Sequence, residues 1–298
     1  MTMWEPTGDP EPGTEVGAKS PPHRTLLLAV LALSALPLLP LIAVVAAKVT
    51  SSSASEGPAA GAAPSLTAVG SSAPNGLAGW WKLDETSGTT AADSSGGGPA
   101  GTLSDGVTWS SGAATFNSTS ASIATSGPVL NTSQSFTVSV WVRLTDNSTW
   151  RTAVSQDGAH SSAFQLQFAT ECTCWVFTLP RSDAVEPGQF GAYAEVLATV
   201  GVWTHLVGVY DTGTATAVLY LNGTQAASVA APKRQWNASG PLTIGRTRWN
   251  NKSSDFWAGD IDNVQVYSRA LSAAEASRLY TNGRSGDALA TASASPAP

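Results

Sequence analysis

The sequence predicts an all-β domain, a sandwich or barrel of short antiparallel strands closed by one short C-terminal helix and preceded by a single transmembrane helix. Three observations carry that expectation. From Gly76 onward, short apolar–polar alternations are separated by Gly, Asn, Asp and Ser clusters, the pattern of many strands joined by turns. Residues 25–47 form a charge-free apolar run. Only 12% of the 298 residues are charged and the formal net charge is -6. That balance suits a loop-rich β protein and excludes nucleic acid as a partner, because phosphate binding needs a basic face.

Residues 1–24 are rich in Pro, Gly and acids and have no hydrophobic period, so they are expected to be a disordered cytoplasmic segment. As a helix, residues 25–47 would be roughly 34 Å long, close to the hydrocarbon thickness of a bilayer. Pro37 and Pro40 would kink it, which membrane helices tolerate. Lys19, His23 and Arg24 precede the run and Lys48 follows it, which puts the N-terminus in the cytoplasm and the rest outside. The rival reading is a cleaved signal peptide, since Val45 and Ala47 fit a small-residue cleavage pattern; the protein would then be secreted. Residues 48–75, mostly Ser, Ala, Gly and Pro, make a flexible linker with a reach of about 30 Å. Residues 76–283 are the folded domain, and 284–298 a tail that frays.

Within the domain the clearest strand is Phe136–Leu144. Phe136, Val138, Val140, Val142 and Leu144 alternate with Thr137, Ser139, Trp141 and Arg143, so one face turns to the core and the other to solvent. If a second sheet packs on that apolar face, Trp203–Tyr210 and Phe256–Tyr267 are the expected suppliers of the facing row. Further strands are expected at Ala78–Asp84, Ala114–Phe116, Ala163–Phe168, Trp175–Leu179 and Ala217–Leu221. Asn222-Gly223 signals a hairpin, because a type I′ turn needs positive φ at both positions. Ser272-Ala-Ala-Glu275 is a capping box, and Asn282-Gly283 a helix stop. The two cysteines, Cys172 and Cys174, would lie roughly 6.5–7 Å apart on an extended strand, at the limit of disulfide reach, so a bond between them needs a local distortion and two thiols are the plainer alternative.

Four blocks of this chain resemble LamG-like jelly-roll domains of the concanavalin A-like lectin/glucanase superfamily. They are Trp81-Lys-Leu-Asp-Glu85 with Asp93-Ser-Ser-Gly96; Ser135–Val142; Trp203–Asp211 with Leu219–Gly223; and Ile244-Gly-Arg246 with Gly259–Tyr267 and Arg269–Ser272. Their order and spacing agree with the family over roughly residues 76–283. The resemblance implies an antiparallel two-sheet jelly-roll sandwich, often with a structural calcium, in secreted or surface proteins that frequently bind glycans. It does not fix function, since the fold hosts enzymes, lectins and spacers alike.

If that topology holds, acids from the two ends of the domain converge. Glu85, Asp93 and Asp262 are the candidate ligands of a Ca²⁺, a cation that takes hard oxygens from several loops. The alternative is that these acids face solvent or cap turns. Trp236, Arg246, Arg248, Trp249 and Asn250 are the candidate ligand-binding cluster, an aromatic and polar set of the kind that stacks and hydrogen-bonds a sugar; rim packing is the alternative. No Glu-x-Asp-x-x-Glu pattern occurs, and neither paired carboxylates for glycoside hydrolysis nor a Ser/His/Asp arrangement stands out. His205 reads as a packed strand residue. The expected function is therefore non-catalytic binding at the cell surface, of carbohydrate or cell-wall glycan. A structural or adhesion domain without sugar affinity is the alternative, and a glycoside hydrolase a lesser one.

Overall fold

The computed structural model describes residues 75–284, in which apolar alternation and frequent turns produce eighteen strands and one helix. The first nine strands are β1 (Leu77–Trp81), β2 (Thr90–Ala91), β3 (Gly101–Leu103), β4 (Val107–Ser110), β5 (Ala113–Asn117), β6 (Ile123–Thr125), β7 (Phe136–Leu144), β8 (Arg151–Asp157) and β9 (Ser162–Ala169). There follow β10 (Cys174–Pro180), β11 (Gln189–Leu197), β12 (Trp203–Asp211), β13 (Thr216–Leu221), β14 (Thr224–Ala230), β15 (Leu242–Ile244), β16 (Thr247–Trp249), β17 (Lys252–Ser254), β18 (Ala258–Tyr267) and helix α1 (Ala273–Thr281). Sheet one runs β14-β13-β12-β7-β18-β5-β4, with β1 also on β18. Sheet two runs β11-β10-β9-β8-β15-β6-β3-β2, and β16 with β17 forms a separate ribbon.

The register of β18 shifts between Asp262 and Gln265, where Asn263 takes φ 52°. The shift turns Ile261 and Val264, three positions apart, both into the core. It also lets one half of β18 pair with β5 and the other with β1, so the first and last strands of the domain are neighbours.

The apolar row of β7 is buried between the sheets as its alternation dictates. Its facing partners differ from the expected ones. β12 and β18 flank β7 within its own sheet, and the opposing row comes from Val154, Phe164, Leu166 and Phe177 of β8, β9 and β10. Phe136 meets Phe164 at 5.1 Å and Tyr210 at 5.5 Å between ring centroids, within the preferred range for aromatic pairs. Long apolar strands near one another in sequence cannot announce whether they will lie side by side or face to face.

The other face of β7 is covered rather than solvated, which corrects the expected half-buried strand. Thr137 and Ser139 are almost fully buried and Trp141 is 8% exposed. The cover is the chain from Arg269 through α1. Thr137 Oγ1 donates to the Arg269 carbonyl and accepts from Leu271 N–H, and the Tyr280 ring stacks on Trp141 at 5.5 Å.

That helix is fixed at both ends. Ser272 and Glu275 form the reciprocal capping box, Arg269 pairs with Glu275, and Gly283 at φ 76° ends the helix. Ser272→Ala is expected to cost about 1 kcal/mol and to lower the thermal midpoint by about 2–4 °C; calorimetry showing no shift would mean the cap is not stabilising. The turn Asn222-Gly223, at φ 48° and 77°, joins β13 to β14 as its dipeptide requires. A Cβ on Gly223 would lie 3.1 Å from Ser277 Cα and Tyr280 Cβ, so this turn needs glycine for packing against α1 as well as for φ.

Cys172 and Cys174 form a disulfide, the alternative that needed a local distortion of the strand. The extended-strand spacing does not apply, because residues 170–173 are the turn between β9 and β10 and Thr173 takes φ 53°. The left-handed residue draws the two Cα atoms to 5.1 Å, inside disulfide range. No helix among the described residues is long and apolar enough to cross a membrane; the expected span, residues 25–47, lies outside them.

Candidate functional site

The middle of sheet two buries its outer face as well as its inner one. Every residue of β8, β9 and β10 is buried, yet the outward positions are polar. On β9, Phe164, Leu166 and Phe168 belong to the core while Gln165 and Gln167 point away from it. Buried polar groups need partners, and here they bond one another in a row. Thr152 Oγ1 donates to Gln167 Oε1 at 2.9 Å, Gln167 Nε2 to Thr178 Oγ1 at 3.1 Å, and Thr178 Oγ1 to Gln165 Oε1. The chain of donors fixes each amide and leaves Gln165 Nε2 to donate outward.

Above this floor lies a cleft of about 320 Å³ lined by Trp150, Gln165, Gln167, Gln189, Trp249 and Asp255. Trp150 stands just before β8, and its indole N–H donates to Glu171 Oε1 at 3.0 Å. Trp249 ends β16, at a two-residue turn in which Asn250 and Asn251 take φ 50° and 68°. Asn tolerates this left-handed region better than most residues. Asp255 follows β17, also left-handed at φ 51°. Burial pushes its carboxyl up to about 6, against the pull of the Arg151 charge and with a further push from Glu171. Arg151 itself is engaged with Asp146 and with the carbonyls of Ser118 and Phe256.

The family model of the concanavalin A-like lectin/glucanases superfamily, Laminin_G_3, matches residues 116–277. The chain belongs to this superfamily. No curated protein sequence matches it at a significant level. Among solved structures, this superfamily member is similar to domain 4 of AbnA, an extracellular arabinanase of Geobacillus stearothermophilus, in complex with arabinotriose. The TM-score is 0.56 at 18% identity, covering 68% of this chain and 98% of that one. It is also similar to the binding domain of botulinum neurotoxin DC in complex with SialylT, with TM-score 0.54 and 12% identity over 70% of this chain and 51% of that one. The binding domain of Paraclostridial Mosquitocidal Protein 1 gives 0.55 at 16% identity, over 70% and 52%. The chain thus spans about half of each toxin domain. At these identities the likeness is one of fold, a two-sheet jelly roll.

Of the ligand-binding residues expected from the superfamily member's sequence, Trp249 lines the cleft. Three others hold the loop that carries it. Arg246 pairs with Asp157 at 2.8 Å, with both side chains largely buried. Arg248 Nε donates to the Ala159 carbonyl at 2.8 Å. Asn250 Oδ1 accepts from Glu186 N–H at 2.6 Å. Trp236 lies elsewhere, its indole N–H donating to the Pro180 carbonyl at 2.9 Å. Trp150, Gln165, Gln167, Gln189 and Asp255 were not singled out from the sequence. The alternation Phe164-Gln-Leu-Gln-Phe168 was the readable signal for two of them; the other three come from separate segments and carry no local pattern.

The acids expected to bind calcium are engaged differently. Both Asp93 oxygens are filled: Oδ1 accepts from Trp80 and Ser95 N–H, and Oδ2 from Ser95 Oγ and Gly98 N–H. Burial alone would raise this carboxyl, and these donors outweigh it and hold it below its usual range. Glu85 Oε1 accepts from Ala92 N–H at 2.7 Å. Asp262 is fully buried on the outer face of sheet one, opposite Trp141. Among the described residues no three His, Cys, Asp or Glu side chains are grouped to hold a metal ion. A Ca²⁺ at Asp93 would have to displace the donors already there.

Proposed function

We propose that the protein is a non-catalytic carbohydrate-binding module, displayed outside the cell by its N-terminal apolar segment, and that it holds one or two sugar units between Trp150 and Trp249. The observation that carries this reading is the make-up of the cleft. Indole faces offer apolar surface to the C–H face of a sugar ring, and Gln165 Nε2, Gln189 and a carboxyl offer donors and acceptors to its hydroxyls. A volume of about 320 Å³ is at the small end for ligand sites. Asp255 is the one carboxylate lining the cleft among the described residues, whereas glycoside hydrolysis uses two flanking the bond; this supports binding without turnover. A domain of the same fold solved in complex with arabinotriose supports a glycan as the ligand class.

The test is the full-length protein on a glycan array, followed by Trp150→Ala and Trp249→Ala. Each substitution is expected to weaken binding at least tenfold, about 1.4 kcal/mol, with the thermal midpoint little changed. A blank array, or binding that survives both substitutions, would refute the reading. One observation favours a second reading, a protein contact: Val196, Leu197, Val200 and Val202 are 40–67% exposed beside one another near the β11–β12 connection. Cell-surface binding that persists in both Trp variants but disappears on Leu197→Ser would select it.

A further inference from the structure

The charges around the cleft carry an inference about which sugars it accepts; it rests on the glycan reading above. Asp255 lines the cleft, and no hydrogen bond to its carboxylate is made by any described residue. Its neighbouring cation is shut away from a ligand: the Arg151 side chain is buried, and its two terminal nitrogens are held by Asp146 and two carbonyls. Of the two basic residues on the ribbon that carries Trp249, Arg248 turns its Nε to the Ala159 carbonyl, and Lys252, across from Trp249, does not line the cleft. The second charge that acts on Asp255 besides Arg151 is negative: Glu171, which holds Trp150 in place. The remaining polar lining is three neutral glutamines.

We propose that Asp255 is a specificity-determining residue that restricts the cleft to uncharged sugars and turns away those bearing carboxylate or sulfate. An ionised carboxylate with open lone pairs accepts hydroxyl hydrogens, and a pair of neighbouring hydroxyls on a neutral ring satisfies both oxygens. Gln165 Nε2, left free to donate by the Thr152–Gln167–Thr178 chain, supplies the complementary donor. A uronate or sulfate brought into the same space meets Asp255 and Glu171, and no Lys or Arg side chain lines the cleft to receive it. Like charges placed together without compensation exclude a ligand more firmly than a missing contact does.

The experiment compares Kd of the full-length protein for neutral and acidic probes by calorimetry. Arabinotriose, galactotriose and mannotriose are the neutral set; trigalacturonate and 6-sulfated galactotriose are the acidic set. The wild type is expected to bind at least one neutral trisaccharide and to bind the acidic probes at least tenfold more weakly. Asp255→Asn keeps the shape and tolerates φ 51°, so it is expected to fold. It should narrow the ratio between the two classes at least tenfold, chiefly by admitting the acidic probes. An independent arm uses the wild type alone: lowering the pH from 7.5 to 5 protonates Asp255, against the pull of the Arg151 charge and with the push of Glu171, and should narrow the same ratio. Acidic probes bound as tightly as neutral ones by the wild type, with both lost in Trp249→Ala, would overturn this inference and leave the glycan reading standing. No binding of either class would overturn both.

Discussion

Val140→Asp is expected to unfold the domain. Val140 is fully buried at the centre of β7, between β12 and β18 and facing the second sheet. Truncation to Ala removes two methyl groups from a packed interior and should cost about 1–3 kcal/mol. An aspartate there has no described partner and must be buried as a charge or protonated at a further cost. The total stability of a domain is about 5–15 kcal/mol, so the charge is expected to consume much of it. Loss of the cooperative urea transition in the Asp variant, with a shifted but intact transition for Val140→Ala, is the expected pattern. The opposite face is not the safe one that strand alternation implies. Thr137→Val should cost about 1–3 kcal/mol, because it strips the partners from the Arg269 carbonyl and the Leu271 N–H under the C-terminal segment.

The second large effect is a compensation in acid. Burial between Trp141 and Tyr280 holds the His205 imidazole down to about 3, with Ser139 Oγ on its Nε2 at 2.9 Å. Between about pH 6.5 and 3 the unfolded chain binds a proton at His205 that the folded chain does not. Stability should therefore fall by up to about 1.4 kcal/mol for each pH unit below 6.5. Asp255 acts in the opposite sense. Its folded value of about 6 lies above the unfolded one, so the native state takes up the proton first. Stability is gained as the pH falls from about 6 to about 4, by a smaller amount because the group is partly open to water. The wild type is expected to lose less stability between pH 6 and 4 than His205 alone would cost it. His205→Gln, which can still reach Ser139, should grow more stable relative to the wild type as the pH falls, by about 2–3 kcal/mol at pH 4.5. Asp255→Asn should lose stability faster than the wild type. Urea midpoints of the three proteins falling in parallel across this range would contradict both assignments.

How much of this was legible in the sequence depends on the range of the interaction. The β7 alternation, the Asn222-Gly223 turn and the capping box at Ser272 and Glu275 are local, and each appears in the structure where its residues place it. Features set by non-local packing were misread. The burial of Thr137 and Trp141 depends on a helix 132 or more residues away in sequence. The placement of β12 and β18 beside β7 rather than across from it depends on strand order. The disulfide escaped because one left-handed residue, Thr173, shortens a distance that extended geometry makes too long. The cleft was half legible: Trp249 stood out beside Arg248 and Asn250, and its neighbours proved to be the scaffold of its loop. Trp150, Gln189 and Asp255 join it only through the fold, since they arrive from the segments before β8, at the start of β11 and after β17.

The most direct measurement is an NMR titration of side-chain N–H groups with the neutral trisaccharide that binds best. The indole signals of Trp150 and Trp249 and the amide signals of Gln165, Gln167 and Gln189 are expected to shift together, saturating with one Kd, while Trp236 stays still. Shifts centred on Trp236, or on the exposed aliphatic end at Val196–Val202, with the cleft signals unmoved, would contradict a sugar site on the outer face of the second sheet.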